Sequence, residues 1–213
     1  DTYTTILSPR HPLLFHYGLI GYQIHQILPA SVQFLTENHF DALRLGRSRA
    51  SIEETEPILR DADTLAFHLA ALKQSESPGV VGASPSGFTT EEACQLCRYA
   101  GMSDKLSSFG IYGYQHHLDP HGQTAQVIAQ MIWYFIDGKS RSKMESRFDE
   151  KNNFNEFHTV FAEIDTVFLQ SKKTSRWWMQ LPDKKFIACS YKDYLLASSN
   201  EIPERWLRAQ ERG

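Results

Sequence analysis

Along the first 138 positions, short apolar runs alternate with longer stretches of helical period, the pattern that builds βαβ units around a mostly parallel sheet. Gly18 to His25 reads as a strand, Ser31 to His39 as a helix and Ala42 to Leu45 as a short strand. Ser51 to Arg60 reads as a helix, opened by Ser51 and Glu54 at capping-box spacing. Thr64 to Leu69 is apolar enough for a buried strand. It runs into a Gly/Ser/Pro-rich loop from Gln74 to Gly87, long enough to hold a site. The next helix, Thr89 to Ala100, has both ends marked: Glu91 and Glu92 complement the helix dipole in its first turn, and Gly101 stands where it would stop. A third unit follows, with a strand from Ser107 to Tyr114, a polar loop from Gln115 to Gly122, and an apolar helix from Thr124 to Ile136 closed by Gly138.

Beyond Gly138 the pattern changes. A polar stretch, Lys139 to Asn155, leads into Phe157 to Gln170 and Ser175 to Leu181, which read as an antiparallel hairpin joined by a Ser-Lys-Lys-Thr turn. Tyr191 to Ser198 and Glu204 to Gln210 have helical patterns. The expected fold is therefore α/β: a three-layer α/β/α arrangement with a mostly parallel sheet over residues 1–138. Residues 139–213 form a C-terminal appendage of hairpin and helices on the same core. There are no internal repeats and no low-complexity segment.

A chain of 213 residues can bury one good-sized core, with room for a small appendage. Hydrophobic residues at 41% and charged residues at 22% suit a soluble globular protein. With 22 basic against 25 acidic residues, charge gives no reason to expect nucleic acid or an anionic membrane as partner, which leaves small molecules and other proteins. Cys94, Cys97 and Cys189 make an odd count, which argues against a disulfide framework and for a reducing compartment, the cytoplasm by default. No apolar run approaches the roughly 20 residues that cross a bilayer. The opening DTYTTILSPRHP lacks the pattern of an export signal. The first residue is not Met, so a longer precursor is expected.

Two ordered segments carry a resemblance. Asp63-Thr-Leu-Ala-Phe-His-Leu-Ala-Ala-Leu-Lys-Gln-Ser-Glu-Ser-Pro-Gly79 is followed by Gly82-Ala-Ser-Pro-Ser-Gly-Phe-Thr-Thr-Glu-Glu-Ala93, and downstream lies Gly113-Tyr-Gln-His-His-Leu-Asp-Pro-His-Gly-Gln-Thr-Ala125. These are similar to segments of the ureohydrolases, the family of arginase, agmatinase and formimidoylglutamase. The family's strand reads Ser-x-Asp-x-Asp-x-x-Asp-Pro and runs through a Pro-Gly loop into Gly-Gly-Leu-Thr-x-x-Glu-Ala. A later strand ends in Glu-x-Asn-Pro before Asp-x-x-Gly-x-Thr-Ala. Pro78, Gly79, Gly87, Phe88, Thr89, Glu92 and Ala93 match the first pattern; Asp119, Gly122, Thr124 and Ala125 match the second. The resemblance covers about residues 15–138 and implies the C-terminal part of an arginase-like fold, the N-terminal part lying outside this chain.

The resemblance also implies a chemistry. Family members cleave a guanidino or formimino carbon–nitrogen bond with two manganese ions that bridge a water and lower its pKa. Manganese favours hard oxygen donors, hence several carboxylates. In this sequence the two strand aspartates fall on His68 and Ala70, the following Asp-Pro falls on Lys73 and Gln74, and the substrate-facing Glu falls on Gly113. His68 can still offer a nitrogen; Ala70, Lys73 and Gly113 offer no metal ligand. The family's remaining ligands, in a Gly-Gly-x-His turn and an Asp-Ala-His-x-Asp strand, would lie upstream of residue 1. The expectation is a ureohydrolase-like protein that is inactive or altered, with manganese absent or incomplete. The alternative is a metal-dependent amidine or guanidine hydrolase completed by upstream residues, acting on a small molecule. A non-catalytic role would call for a homo-oligomer or a protein partner.

Other residues admit two readings each. His68 is either a surviving ligand or a core histidine. His116, His117 and His121 share one loop after a strand, where α/β folds place sites; they read as a mononuclear zinc or nickel cluster or as a solvated polar loop. Cys94 and Cys97 form a Cys-x-x-Cys without a second pair, so small apolar helix residues compete with a zinc or redox role. Trp177, Trp178 and Trp206 either line a pocket or interface or pack the tail against the main sheet. The loop from Gln74 to Gly87 lacks a phosphate-binding glycine pattern, and Ser84 and Ser86 lack a nucleophile elbow.

Overall fold

The computed structural model describes residues 16–142 and 145–212, so the reading of the N-terminal DTYTTILSPRHP segment lies outside the described residues. Among the described residues, eight strands and seven α-helices follow one another in two blocks. The first holds β1 (Gly18–Tyr22), α1 (Pro29–Glu37), β2 (Asp41–Arg44), α2 (Leu45–Ala50), α3 (Glu56–Arg60), β3 (Thr64–His68), α4 (Thr90–Gly101), β4 (Ser108–Tyr112) and α5 (Gln123–Ser142). The second holds β5 (Phe154–Phe161), β6 (Ile164–Ser171), β7 (Trp177–Gln180), β8 (Phe186–Cys189), α6 (Tyr191–Ser198) and α7 (Glu204–Arg212).

The strands of the first block pair in parallel, as the alternating pattern predicts, but they pair two by two and not as one continuous sheet. β1 lies beside β2, and β3 beside β4 in unbroken register from Thr64↔Ser108 to His68↔Tyr112. Thr64, Ala66 and His68 on β3 are exposed, whereas Phe67 is buried and Leu65 packs on the core. That core is built by Leu69, Leu72, Phe88, Ala93, Cys97, Ala100 and Met131, each at most 1% exposed. Burying a leucine such as Leu69 contributes about 1.5–3 kcal/mol.

Local chemistry explains where the elements end. α4 starts with a full capping box: Thr89 Oγ1 accepts the Glu92 N–H at 3.3 Å, while the Thr89 N–H donates to the Glu92 carboxylate at 2.8 Å. The capping box expected at Ser51 and Glu54 does not form. Pro57 has no N–H to continue a helix begun there, so the segment divides into the 3-10 turn Ile52–Thr55 and the short α3. α5 does not close at Gly138 but runs through it to Ser142, because Gly138 is where α4 and α5 touch. A Cβ on Gly138 would stand 2.2 Å from the Arg98 carbonyl oxygen, and one on Gly101 would stand 2.1 Å from that of Phe135.

The expected single hairpin of the tail is a four-stranded antiparallel sheet in the order β5-β6-β7-β8. Phe157 to Gln170 is not one strand: Ala162 and Glu163 take φ of 47° and 63° and turn the chain back, a two-residue turn made without glycine. Both faces of this sheet are apolar. One carries Phe161, Phe168, Trp177, Met179 and Cys189 and packs with Ala197 of α6 and Trp206 of α7; the other carries Phe154, Leu169 and Trp178. The indoles thus pack inside the tail and not against the parallel strands. Trp206 donates its N–H to the Gln180 carbonyl at 3.1 Å and meets Phe161 edge-on at 5.4 Å.

The seam between the two blocks is ionic. Arg60, the last residue of α3, donates to the carbonyls of Trp177 and Cys189 at 2.9 and 3.1 Å and lies 4.5 Å over the Trp178 ring. Glu56 stands between Arg60 and Arg176 at 3.2 and 3.1 Å, and Arg176 donates to the Met102 carbonyl at 2.8 Å. Glu145 meets Arg176 at 3.5 Å and accepts from Ser171 and Thr174 hydroxyls. A second knot joins Asp41 of β2 to Arg208 of α7 at 2.9 Å and to His16 at 3.0 Å. Among the described residues no helix is long and apolar enough to cross a membrane.

Candidate functional site

In an open α/β arrangement, ligands sit beyond the C-terminal ends of parallel strands, here the ends of β3 and β4. β3 ends in His68 and the 3-10 turn Leu69–Ala71; the chain then bridges Leu72 to Phe88 and Lys73 to Ser84 around the loop of residues 74–87. β4 ends at Tyr112 and is followed by Gly113, and Tyr114 bridges Val80 of that same loop. The two segments expected to form the site are therefore brought together.

The matching positions hold the loops in place. A Cβ on Gly87 would stand 2.4–2.7 Å from the backbone of Ala71, Leu72 and Lys73, and one on Gly79 would stand 2.8 Å from Asp119 Cβ, so only glycine lets these segments approach. The Gly79 N–H donates to Thr124 Oγ1 at 2.8 Å. Asp119 accepts the N–H groups of Thr124 and Ala125 at 3.1 and 3.0 Å, closing the start of α5, and the Tyr114 hydroxyl at 3.3 Å. Burial acts to raise the Asp119 carboxyl, but these donors outweigh it and hold its pKa below the ordinary carboxylate value. Glu92 is engaged in the capping box and with Arg49 at 2.8 Å. Phe88 and Ala93 are core residues.

Of the departing positions, His68, Ala70 and Gly113 lie together. His68 is exposed; its Nδ1 accepts the Ala70 N–H at 3.2 Å, which places the neutral ring's proton on Nε2. Gly113 has φ +92°, and a Cβ there would stand 2.8 Å from His68 Cε1 and 3.1 Å from Nε2. The imidazole therefore occupies the space over Gly113 that a larger residue would need. Ala70 contributes a methyl group, Lys73 a cation and Gly113 no side chain. Among the described residues no group of three or more His, Cys, Asp or Glu is placed to hold a metal ion. The positions that the resemblance assigns to manganese ligands offer one imidazole and no carboxylate, and by themselves do not fit a hard cation.

His116 and His117 sit in the 3-10 turn His116–Leu118, His121 follows, and all three are exposed. Cys94 and Cys97 are free and buried in α4; burial, with Glu91 nearby, pushes the Cys94 thiol up to about 11, and burial raises Cys97 as well. Thiols so poorly ionised are weak nucleophiles and weak metal ligands. The tail also holds a cleft of about 490 Å³, lined by Phe157, Gln170, Trp177, Tyr191 and Tyr194. Of these, sequence reasoning offered only Trp177 as a pocket residue; Gln170, Phe157 and the two tyrosines carry no motif that marks them.

No family model matches the chain, and no curated protein matches its sequence. Solved structures do. Formimidoylglutamase from Bacillus subtilis superposes with a TM-score of 0.52 at 20% identity, over 58% of this chain and 42% of that one. Trypanosoma cruzi formiminoglutamase with bound manganese gives 0.51 at 20% identity, over 57% and 43%, and a T. cruzi arginase superfamily protein gives 0.50 at 21%, over 57% and 42%. The chain spans less than half the length of these structures. Over somewhat more than half of its own length, this chain takes an α/β fold like that of formiminoglutamase and the arginase superfamily.

Proposed function

We propose that this chain is the C-terminal part of a ureohydrolase-like protein in which the fold is retained and the hydrolytic chemistry is lost or altered. The observation that carries this reading is the division of labour at the ends of β3 and β4. Residues matching the family cap helices and let loops approach, while Ala70, Lys73 and Gly113 replace expected carboxylates and His68 fills the space over Gly113. Two manganese ions would be short of ligands here, and the protein acts in the cytoplasm as a regulatory or scaffolding member of an oligomer or of a complex with another protein. The exposed Trp133 and Ile136 of α5 suit such a contact.

The test uses full-length protein loaded with manganese. Elemental analysis is expected to find far fewer than two ions per chain, and formiminoglutamate, arginine and agmatine to release no formamide, urea or ammonia. Near two manganese per chain together with turnover would overturn the proposal. His68 favours a second reading, an amidine hydrolase completed by upstream residues, because it is an exposed imidazole at a strand end. In that case His68→Ala abolishes both metal and turnover.

A further inference from the structure

We infer that the cleft in the tail is a binding site for a proline-rich segment in the extended polyproline conformation. The cleft is formed where α6 crosses one face of the antiparallel sheet. Gln170 and Trp177 are register partners on β6 and β7, Asn155 pairs with Gln170 from β5, and Phe157 lies two residues on along the same face. Tyr191 and Tyr194 close it from above. The rings form a stair: Trp177 and Tyr194 are 4.9 Å apart and 23° from parallel, Tyr194 and Tyr191 5.9 Å and 28°, Phe157 and Trp177 5.1 Å and 31°. Trp177 is 7% exposed and forms the floor, while Tyr191 at the lip is 54% exposed. The volume of about 490 Å³ falls within the range of ligand sites.

The lining selects the occupant. It contains no charged side chain, so the guest is neutral where it docks. Its polar groups are mostly donors: Gln170 already accepts from Asn155 Nδ2 at 3.3 Å, and among the described residues nothing accepts from the Gln170 amide, the Trp177 indole N–H or the Tyr191 and Tyr194 hydroxyls. A proline-rich strand has backbone carbonyls that accept and no N–H that needs a partner, and its rings pack on aromatic ridges. It is also pre-extended, so little entropy is lost on binding.

The test titrates the full chain with an N-acetylated octaproline, followed by tryptophan fluorescence and calorimetry. A Gly-Ser octamer and cellohexaose are the comparison probes. Saturable binding of octaproline is expected, with none for the other two. Tyr191→Ala, at an exposed helix position that leaves the fold intact by circular dichroism, is expected to weaken binding about tenfold or more, and Tyr191→Phe to stay within about threefold. Absence of octaproline binding at millimolar concentration, equal binding by Tyr191→Ala, or binding of cellohexaose in its place would each overturn the inference.

Discussion

The imidazole of His68 lies over the bare α-carbon of Gly113, 2.8 Å from where a Cβ would stand, on a backbone at φ +92°. The two residues sit at the ends of adjacent parallel strands, 45 positions apart in the chain by their numbers. Each explains the other: a side chain at 113 would push the ring from its place and break the Nδ1 bond to the Ala70 N–H. Gly113→Ala is expected to destabilise the protein by about 1–3 kcal/mol, from left-handed strain plus the lost bond. His68→Ala, at an exposed site, is expected to cost less than about 1 kcal/mol. In the double variant the steric part vanishes, so urea unfolding should give a sum smaller than the two single effects. Full additivity would show that the two residues do not share this space.

Glu56 is held between two buried guanidiniums, Arg60 at 3.2 Å and Arg176 at 3.1 Å. The contact to Arg176 is ionic and not an aligned hydrogen bond. Glu56→Gln keeps the volume but leaves buried Arg60 without its ion-pair partner and Arg176 with Glu145 alone, at an expected cost of about 3–5 kcal/mol. The pair of Arg147 and Asp149, largely exposed at 3.5 Å, makes the contrast. Arg147→Ala is expected to change stability by less than about 0.5 kcal/mol. Chemical denaturation of both variants, monitored by tryptophan fluorescence, compares the two directly.

The elements that sequence reasoning placed well are those whose ends carry chemistry of their own. Thr89 with Glu92 and Gly101 bracket α4, and α6 falls on its expected residues behind the capping pair Ser190 and Asp193. The failures have equally local causes. Pro57 cuts a helix whose pattern looked continuous, Ala162 and Glu163 make a left-handed turn without turn residues, and Gly138 marks a helix crossing rather than a stop. At the candidate site, the resemblance pointed to His68, Ala70, Lys73 and Gly113. That His68 and Gly113 are partners was not readable, because the contact exists only once two strands are paired. The seam was invisible for the same reason: Arg60 reaches carbonyls 117 and 129 residues away.

Asp41 ties β2 to the C-terminal helix, and its titration should be visible in stability. Burial acts to raise its carboxyl, but the hydrogen bond from His16 and the charges of Arg205 and Arg208 outweigh it and hold the pKa well below the ordinary value of 3.8. A carboxyl depressed in the folded state adds stability that is present above its unfolded pKa. That stability is lost as the pH falls through the lower folded value. Unfolding free energy should therefore decline as the pH drops below about 4. In Asp41→Asn that portion of the slope should disappear while neutral-pH stability falls, as urea unfolding at a series of pH values will report. An unchanged acid slope in Asp41→Asn would assign the acid sensitivity to other carboxyls.

Gly101 and Gly138 hold α4 and α5 together by what they lack. Each presents its α-carbon to a carbonyl of the opposite helix, at distances of 2.1 and 2.2 Å from the Cβ that alanine would add, and the obstructing atoms are backbone. Neither helix can yield by a rotamer change, so relief requires the axes to move apart, loosening Ala100, Cys97 and Met131 beneath them. Alanine raises intrinsic helix propensity by about 1 kcal/mol over glycine, which opposes the effect. Overpacking typically costs about 1–3 kcal/mol and more where nothing can shift, and here it should win. Gly138→Ala, mid-helix, is expected to lower stability by about 2 kcal/mol despite the better helix former. A stabilised Gly138→Ala, read as a higher melting temperature, would mean that the helices cross farther apart than this.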